Sequence, residues 1–282
     1  MPDVKRVGII YNFRSDASVA MAQALHARLS RSWDTWVCPT DNEGEKRAAK
    51  EVLGTDVVVT AGGDGTILKT FRMIYPLSVP ILGVNTGQVG FMTEVDASVA
   101  LSQVPRYLSI ELRVEKRATI TGEIIPAAGS GRAPFRFHAL NDIVVGRREV
   151  ARVAHVETTV DGGLVTTYRG DGVIVSTATG STGYALACGG PIMYPESQEL
   201  LLVPVSPHLS LANPLLIQPT GMVELKLVSQ YPGLASADGQ VDHELETGDT
   251  TRIFRGEATV LFLRDSSPAA FYSSLTQRLQ RR

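Results

Sequence analysis

Over the first third of the chain, short apolar runs alternate with polar stretches in which apolar residues recur at regular spacing. Val7 to Tyr11 is one such run, Val57 to Thr60 a second and Pro80 to Val84 a third. Short apolar runs bounded by turn residues are the pattern of buried strands. Between the first two, Met21, Leu25 and Leu29 recur every four residues, the spacing of one helical face, and Asp16 stands where a helix cap belongs. A further helix is expected after Gly65, with Thr66, Ile67 and Leu68 in its first turns. Such alternation predicts βαβ units around a parallel, Rossmann-like sheet.

After about residue 110 the texture changes to runs of Val, Thr and Ile with short turns between them. Val153 to Val160 and Leu164 to Tyr168 flank Asp161-Gly162-Gly163, a hairpin signal. Met222 to Val228, Thr251 to Phe254 and Ala258 to Leu263 read as further strands, and Ala127 to Pro134 as an exposed hairpin loop. This region is expected to be all-β, sandwich-like and mostly antiparallel. Pro268 to Arg282 reads as a helix with Phe271, Leu275 and Leu279 on one face. The change of texture places an α/β domain at 1–108 and a β-rich domain at 109–252.

Composition narrows the function classes. With 44% hydrophobic and 20% charged residues, the chain has the make-up of a globular protein. A net charge of −2 gives no global electrostatic case for nucleic acid. No run of 18 apolar residues occurs, so no membrane partner is expected. The start, Met1-Pro2-Asp3 followed by Val7-Gly8-Ile9-Ile10, is too short an apolar run for a signal peptide. Two cysteines, Cys38 and Cys188, fit a reduced cytoplasm, and five scattered histidines show no zinc spacing. No protein metal ligand set is expected.

The densest chemical signal is Gly62-Gly63-Asp64-Gly65-Thr66, directly after the second strand. Glycines let backbone approach a phosphate closely, and ligands of open α/β sheets bind at the carboxyl ends of strands. The loop therefore reads as a nucleotide or phosphate site with an acid at its centre. It is not a Walker loop, because Leu68-Lys69-Thr70 lacks the glycine before lysine. Nor is it a dinucleotide fingerprint, because Leu68 stands at the third glycine.

Three further stretches carry chemistry. Ser176-Thr177-Ala178-Thr179-Gly180-Ser181-Thr182-Gly183-Tyr184 follows the strand-like Val173-Ile174-Val175, and its hydroxyls are expected to serve phosphates or a ribose. Asn141 both donates and accepts, while Asp142 as a carboxylate only accepts, which suits ribose hydroxyls or an adenine edge. Asp238-Gly239-Gln240 passes as a β-turn, and Arg152, Arg169 and Asp171 as a charged rim.

Taken in order, Gly62 to Thr66, Leu140-Asn141-Asp142, Thr179 to Tyr184 and Asp238-Gly239-Gln240 resemble the signature of the NAD kinase family. The resemblance extends to Pro207-His208 with Leu211-Ala212-Asn213-Pro214, and to Phe271-Tyr272. It implies an α/β domain, a β-rich NAD-binding domain, and a segment 253–282 that returns to the first. It implies transfer of the γ-phosphate of ATP, another nucleoside triphosphate or polyphosphate to the 2′-hydroxyl of the adenosine ribose of NAD. It also implies a divalent ion, Mg²⁺ held mainly by phosphates, a cytoplasmic location and a homodimer or homotetramer.

Carried over residue by residue, the resemblance makes Asp64 the catalytic acid–base and puts Gly65 at the same contact, with Lys69 near the phosphates. Asn141 and Asp142 match the pair that holds NAD, and Thr182, Gly183, Tyr184, Ala185, Leu186 and Ala187 the NAD-contacting loop. Arg152 and Arg169 fall at commonly basic positions, Asp171 at an acidic one, and Gln240 at a late contact. Asp142 stands where many bacterial members have Glu, and Gly183 where Ala is common. The glycine loop alone also fits lipid kinases, and a non-catalytic sensor on the same fold is a third alternative. The hydroxyl-rich loop and Asn141-Asp142 speak against the first, and Asp64 against the second.

Overall fold

The computed structural model describes residues 4–88, 90–149, 152–208 and 211–280. Met1-Pro2-Asp3 and the last two residues of the expected C-terminal helix lie outside them. The chain forms two compact units, Met1–Lys116 with Val260–Arg282, and Arg117–Thr259.

In the first unit β1 (Arg6–Tyr11), α1 (Asp16–Leu29), β2 (Asp34–Pro39), α2 (Asn42–Glu51), β3 (Val57–Gly62), α3 (Asp64–Ile74), β4 (Ile81–Asn85), the two-residue β5 (Val95–Asp96) and α4 (Ala100–Ser109) follow one another. Strands β2, β1, β3 and β4 pair in that order, all parallel, and β5 pairs parallel with β4. Every residue of β3 and β4 is buried, as in a sheet covered on both faces. Leu25 and Leu29 of α1 join Val7, Ile9, Val57 and Val59 in one core. The cap of α1 is Ser15, whose Oγ accepts from the Ser18 amide at 3.3 Å; Asp16 lies one residue inside, where its charge favours the helix N-terminus. Helix α2 has no apolar periodicity and buries only Gly44 and Ala48; Asp41 caps it, accepting from the Gly44 amide at 2.7 Å. Its polar composition hides it from a hydrophobic pattern.

The remaining strands are β6 (Arg113–Ile125), β7 (Phe135–Ala139), β8 (Asp142–Arg147), β9 (Ala154–Val160), β10 (Gly163–Gly170) and β11 (Gly172–Ser176). After the one-turn α5 (Tyr184–Ala187) come β12 (Leu200–Val205), β13 (Leu215–Ile217), β14 (Val223–Leu227), β15 (Gly233–Ala237), β16 (Val241–Leu245), β17 (Thr250–Arg264) and α6 (Pro268–Gln280). In the second unit one sheet joins β10, β9, β14, β17, β6 and β7; the other runs β13-β12-β11-β8-β15-β16. Their inner faces share one core, with Ile120, Val156 and Leu225 from the first and Val145, Val175 and Leu202 from the second. That is the sandwich the strand pattern predicts. Strands β11 and β12 bury both faces, because Ile174, Leu201 and Val203 pack on the other side against Ala178 and Ala185.

Asp161 (φ 51°) and Gly162 (φ 78°) make the β9–β10 turn, both left-handed as a tight hairpin requires. Where two strands are expected between Thr251 and Leu263, a single strand of 15 residues runs. Gly256 does not break it; a Cβ there would sit 2.4 Å from Thr119 Oγ1, so the glycine serves close packing. The last part of β17 lies in the first unit, with Phe262 paired in parallel with Ile81.

Candidate active site

The first cleft lies at the carboxyl ends of β1, β3 and β4. The chain goes from β1 to β2 on one side and then returns to place β3 on the other, so the loops after β1 and β3 diverge at a topological switch point. A cleft of about 400 Å³ opens there. Asn12, Ser15 and Ser18 line it after β1, Gly62, Gly63 and Asp64 after β3, and Thr86 to Gln88 with Gly90 after β4. Ser18 and Thr86 share a hydroxyl–hydroxyl bond of 2.7 Å across it.

The three loop glycines have different reasons. A Cβ on Gly62 would meet Thr66 Oγ1 at 2.2 Å, so packing demands glycine. A Cβ on Gly63 or Gly65 would meet no protein atom within 4 Å, and neither has a left-handed φ. The protein itself does not need glycine at these two positions; the approach of an outside group would. Gly63 caps α3 without a side chain, and the helix begins at Asp64, two residues earlier than expected. The positive end of α3 thus faces the cleft.

Asp64 is held from the opposite wall. Its carboxylate oxygens accept the amides of Phe91 at 2.8 Å and Met92 at 3.0 Å. A Cβ on Gly90 would lie 2.1 Å from Asp64 Oδ1. Lys69 does not line the cleft; its Nζ lies 6.0 Å from the Phe13 ring, which Arg14 also faces at 5.3 Å.

A second cleft, about 340 Å³, belongs to the β-sandwich unit and is lined by Asn141, Asp142, Val144, Tyr184, Ser236, Asp238 and Gly239. Asp238 (φ 53°) organises it. Its carboxylate accepts three successive amides, Leu140 at 3.0 Å, Asn141 at 2.7 Å and Asp142 at 3.2 Å. Its own amide donates to the Asp142 carbonyl at 3.0 Å. Asn141 Oδ1 is buried without a partner, an acceptor left for a ligand. Burial, and then the charge of Asp238, push the Asp142 carboxyl up to about 7.

Four hydroxyls of the hydroxyl-rich loop donate within the protein, while Thr179 Oγ1 is buried without a partner. Ser176 Oγ donates to Asn141 O at 3.1 Å, Thr177 Oγ1 to Leu140 O at 2.6 Å, Ser181 Oγ to Ala178 O at 2.7 Å and Thr182 Oγ1 to Thr179 O at 3.1 Å. A hydroxyl has one proton, so these bonds hold the loop and the Asn141 corner together and leave the four oxygens only as acceptors. Gly180 is required there, since a Cβ would meet Asn141 O at 2.2 Å. A Cβ on Gly183 would stand 3.7 Å from Asn141 Nδ2 and 4.0 Å from an Asp142 oxygen.

The other expected residues are dispersed. Ala185 is wholly buried in an apolar cluster, while Leu186 and Ala187 continue its one-turn helix. Asp171 pairs with Arg147 at 2.9 Å. Arg152 stacks on Tyr231 at 4.3 Å, and Arg169 is an exposed position on β10; neither lines this cleft. The Gln240 amide closes the Asp238 turn on Ala237 O at 2.9 Å. Arg147 and the Gly90–Met92 backbone escape sequence reasoning, which places Asp238 in a turn and in the family signature but gives it no site role. Only Asp238 leaves a local signal, the Asp-Gly turn. Among the described residues no group of three potential metal-ligating side chains occurs.

A parallel sheet with a glycine loop at its switch point, joined to a β-sandwich with a carboxylate–amide cleft, defines a two-unit nucleotide-binding protein. Residues 40–111 match the ATP-NAD kinase N-terminal domain and residues 140–264 the ATP-NAD kinase C-terminal domain. NAD kinase from Dehalococcoides mccartyi strain CBDB1 is 37% identical over 279 residues, covering 98% of this chain and 96% of that protein. NAD kinase from Chloroflexus aggregans is 32% identical over 285 residues, covering 99% of each. The solved NAD kinase of Archaeoglobus fulgidus in complex with ATP has a TM-score of 0.75 at 26% identity, covering 98% of this chain and 99% of that one. Yeast NADH kinase complexed with NADH shares the fold, with a TM-score of 0.87 at 20% identity over 99% of this chain and 89% of that one. The chain belongs to the NAD kinase family, enzymes that phosphorylate NAD to NADP.

Proposed function

We propose that Asp64 accepts the proton of the adenosine-ribose 2′-hydroxyl as NAD is phosphorylated, and that Asn141 and Asp142 hold the NAD. The observation that carries this reading is the placement of Asp64, whose carboxylate is fixed by two backbone amides at a cleft where Gly63 and Gly65 leave room for a ligand. Each oxygen keeps a lone pair for a hydroxyl after accepting one amide. Phosphoryl transfer depends mainly on positioning and charge neutralisation, which the positive end of α3 supports at the phosphates. Gly65 lies at the same contact, and Lys69 with Arg14 supplies positive charge at the Phe13 loop.

A divalent ion fits this cleft only as a phosphate-bound ion. Among the described residues Asp64 is the one carboxylate lining it, beside the neutral oxygens of Asn12, Thr86 and Gln88. Such an ion would neutralise phosphate charge. In the other unit Gly183 and Tyr184 stand beside Asn141 and Asp142; for Thr182, Ala185, Leu186, Ala187, Asp171, Arg152, Arg169 and Gln240 a contact with the acceptor nucleotide rests on the family likeness alone. The family likeness supports a homodimer or homotetramer. The free thiols of Cys38 and Cys188 suit a cytoplasmic location; no helix of the described residues is long and apolar enough to cross a membrane.

The test is Asp64→Asn. It should bind NAD in calorimetry with ordinary affinity and lose about 10²–10⁴-fold in NADP formation with ATP and Mg²⁺. Near-normal turnover would remove Asp64 from the role.

A further inference from the structure

Helix α6 buries one face unevenly. Phe271, Leu275 and Leu279 are half-buried along one side, and Arg278 is half-buried among them. A cation on an apolar stripe is costly unless it is partnered. Arg278 Nη1 donates to the carbonyl of Gly90 at 2.9 Å, and its guanidinium lies 5.6 Å from the Phe91 ring. Gly90, Phe91 and Met92 form the backbone that touches Asp64, through the two amides and the glycine that only a missing Cβ allows.

A second arginine of the C-terminal segment holds the other end of this backbone. Arg264 is 4% exposed, and its Nη1 donates to Met92 O at 3.0 Å and Thr93 O at 3.3 Å. It is fixed in turn by Glu115 at 3.1 Å and Glu94 at 3.2 Å. Burial, then Arg264, weaken the proton affinity of Arg278, while Asp64, Glu94 and Glu115 strengthen it, so the two arginines and three carboxylates form one electrostatic cluster.

We infer that Arg278 is a positioning residue for Asp64, acting through the Gly90–Met92 backbone that Arg264 anchors from the other end. This rests on the role of Asp64 given above and assigns a catalytic purpose to the C-terminal helix. Arg278 touches no reacting atom. It pulls the Gly90 carbonyl toward α6, which aims the next two amides at the carboxylate. Without it the loop is free to turn those amides away, and Asp64 loses its fixed orientation. Misplacement of a reacting group by about 1 Å lowers turnover by roughly 10²-fold.

The experiment compares Arg278→Met and Arg278→Lys in the full-length enzyme. Arg278→Met should lose about 10–10²-fold in kcat with the KM for NAD within about threefold of the parent. Arg278→Lys, which can still donate to Gly90 O, should recover part of kcat. A merely structural α6 predicts instead a fall in melting temperature, with KM and kcat moving together and no rescue by lysine. Gly90→Ala provides an independent arm should Arg278→Met unfold. Its Cβ strikes Asp64 directly, and it should lose kcat while calorimetry shows NAD binding unchanged. Parental kcat in Arg278→Met, or in Gly90→Ala, overturns the inference. If these variants keep turnover while Asp64→Asn loses it, the positioning role fails and the role of Asp64 stands; if Asp64→Asn itself keeps turnover, the earlier reading fails.

Discussion

Replacing Asp142 by asparagine is expected to raise stability above neutral pH and to weaken the hold on NAD. Asp142 is 5% exposed, and its carboxyl is pushed up to about 7, first by burial and then by Asp238. In an unfolded chain the same group titrates near 3.8. Between those two values the unfolded state has released the proton and the folded state still holds it. Stability therefore falls as pH rises from about 4 to about 7 and levels off above, the reverse of an ion-paired carboxylate. At 1.36 kcal/mol per pH unit, the full cost of ionising Asp142 in place is ~4 kcal/mol. Asparagine has the same size and no charge to bury. The variant should exceed the parent by ~2 kcal/mol at pH 5 and ~4 kcal/mol at pH 8. Urea midpoints at the two pH values, with a common slope, measure this directly. NAD affinity should respond in the opposite sense. Only the ionised carboxylate is a pure acceptor, so parental affinity should rise as pH passes about 7, and the variant should lack that rise. A variant less stable than the parent by the same amount at both pH values would refute the reasoning, because Asp142 would then be a stabilising carboxylate.

The two neighbouring glycines should separate packing from binding. Gly62→Ala forces a Cβ to within 2.2 Å of Thr66 Oγ1 and should lose stability by ~1–3 kcal/mol in thermal melts. Gly63→Ala meets nothing within 4 Å and should melt like the parent, while its affinity for ATP, measured by titration, falls. Asp238→Ala strips the acceptor from three amides and should reduce both melting temperature and NAD affinity. Asp238→Asn keeps an acceptor but removes the charge beside Asp142, so the rise of NAD affinity should move to lower pH.

The pattern of apolar runs predicts three strands of the parallel sheet, the sandwich and the helix with Phe271, Leu275 and Leu279 on its face, because burial of a strand or a helical stripe writes itself into local spacing. It is not enough for β2, for α2, whose apolar content is too low to mark a face, or for β17, which runs unbroken where two strands are expected and whose Gly256 lets Thr119 pack close. In the hydroxyl-rich loop the residue types point to a ligand, and four of the donors turn inward onto the carbonyls of Leu140, Asn141, Ala178 and Thr179. Which partner a hydroxyl takes depends on the carbonyl that folding brings beside it, and no local spacing records that.

What the amino-acid order determined by itself is the family and the chemistry its motifs name, since four short motifs in fixed order leave few alternatives. Only the tertiary structure decided how those motifs are supported. Asp238 reaches back 96 to 98 residues to gather three amides behind Asn141 and Asp142. Arg278 reaches 188 residues to the Gly90 carbonyl, next to the amides that hold Asp64. Hydrogen bonds of this reach are set by where the sheets and the last helix come to rest, so the groups that orient a carboxylate stay invisible until the chain is folded.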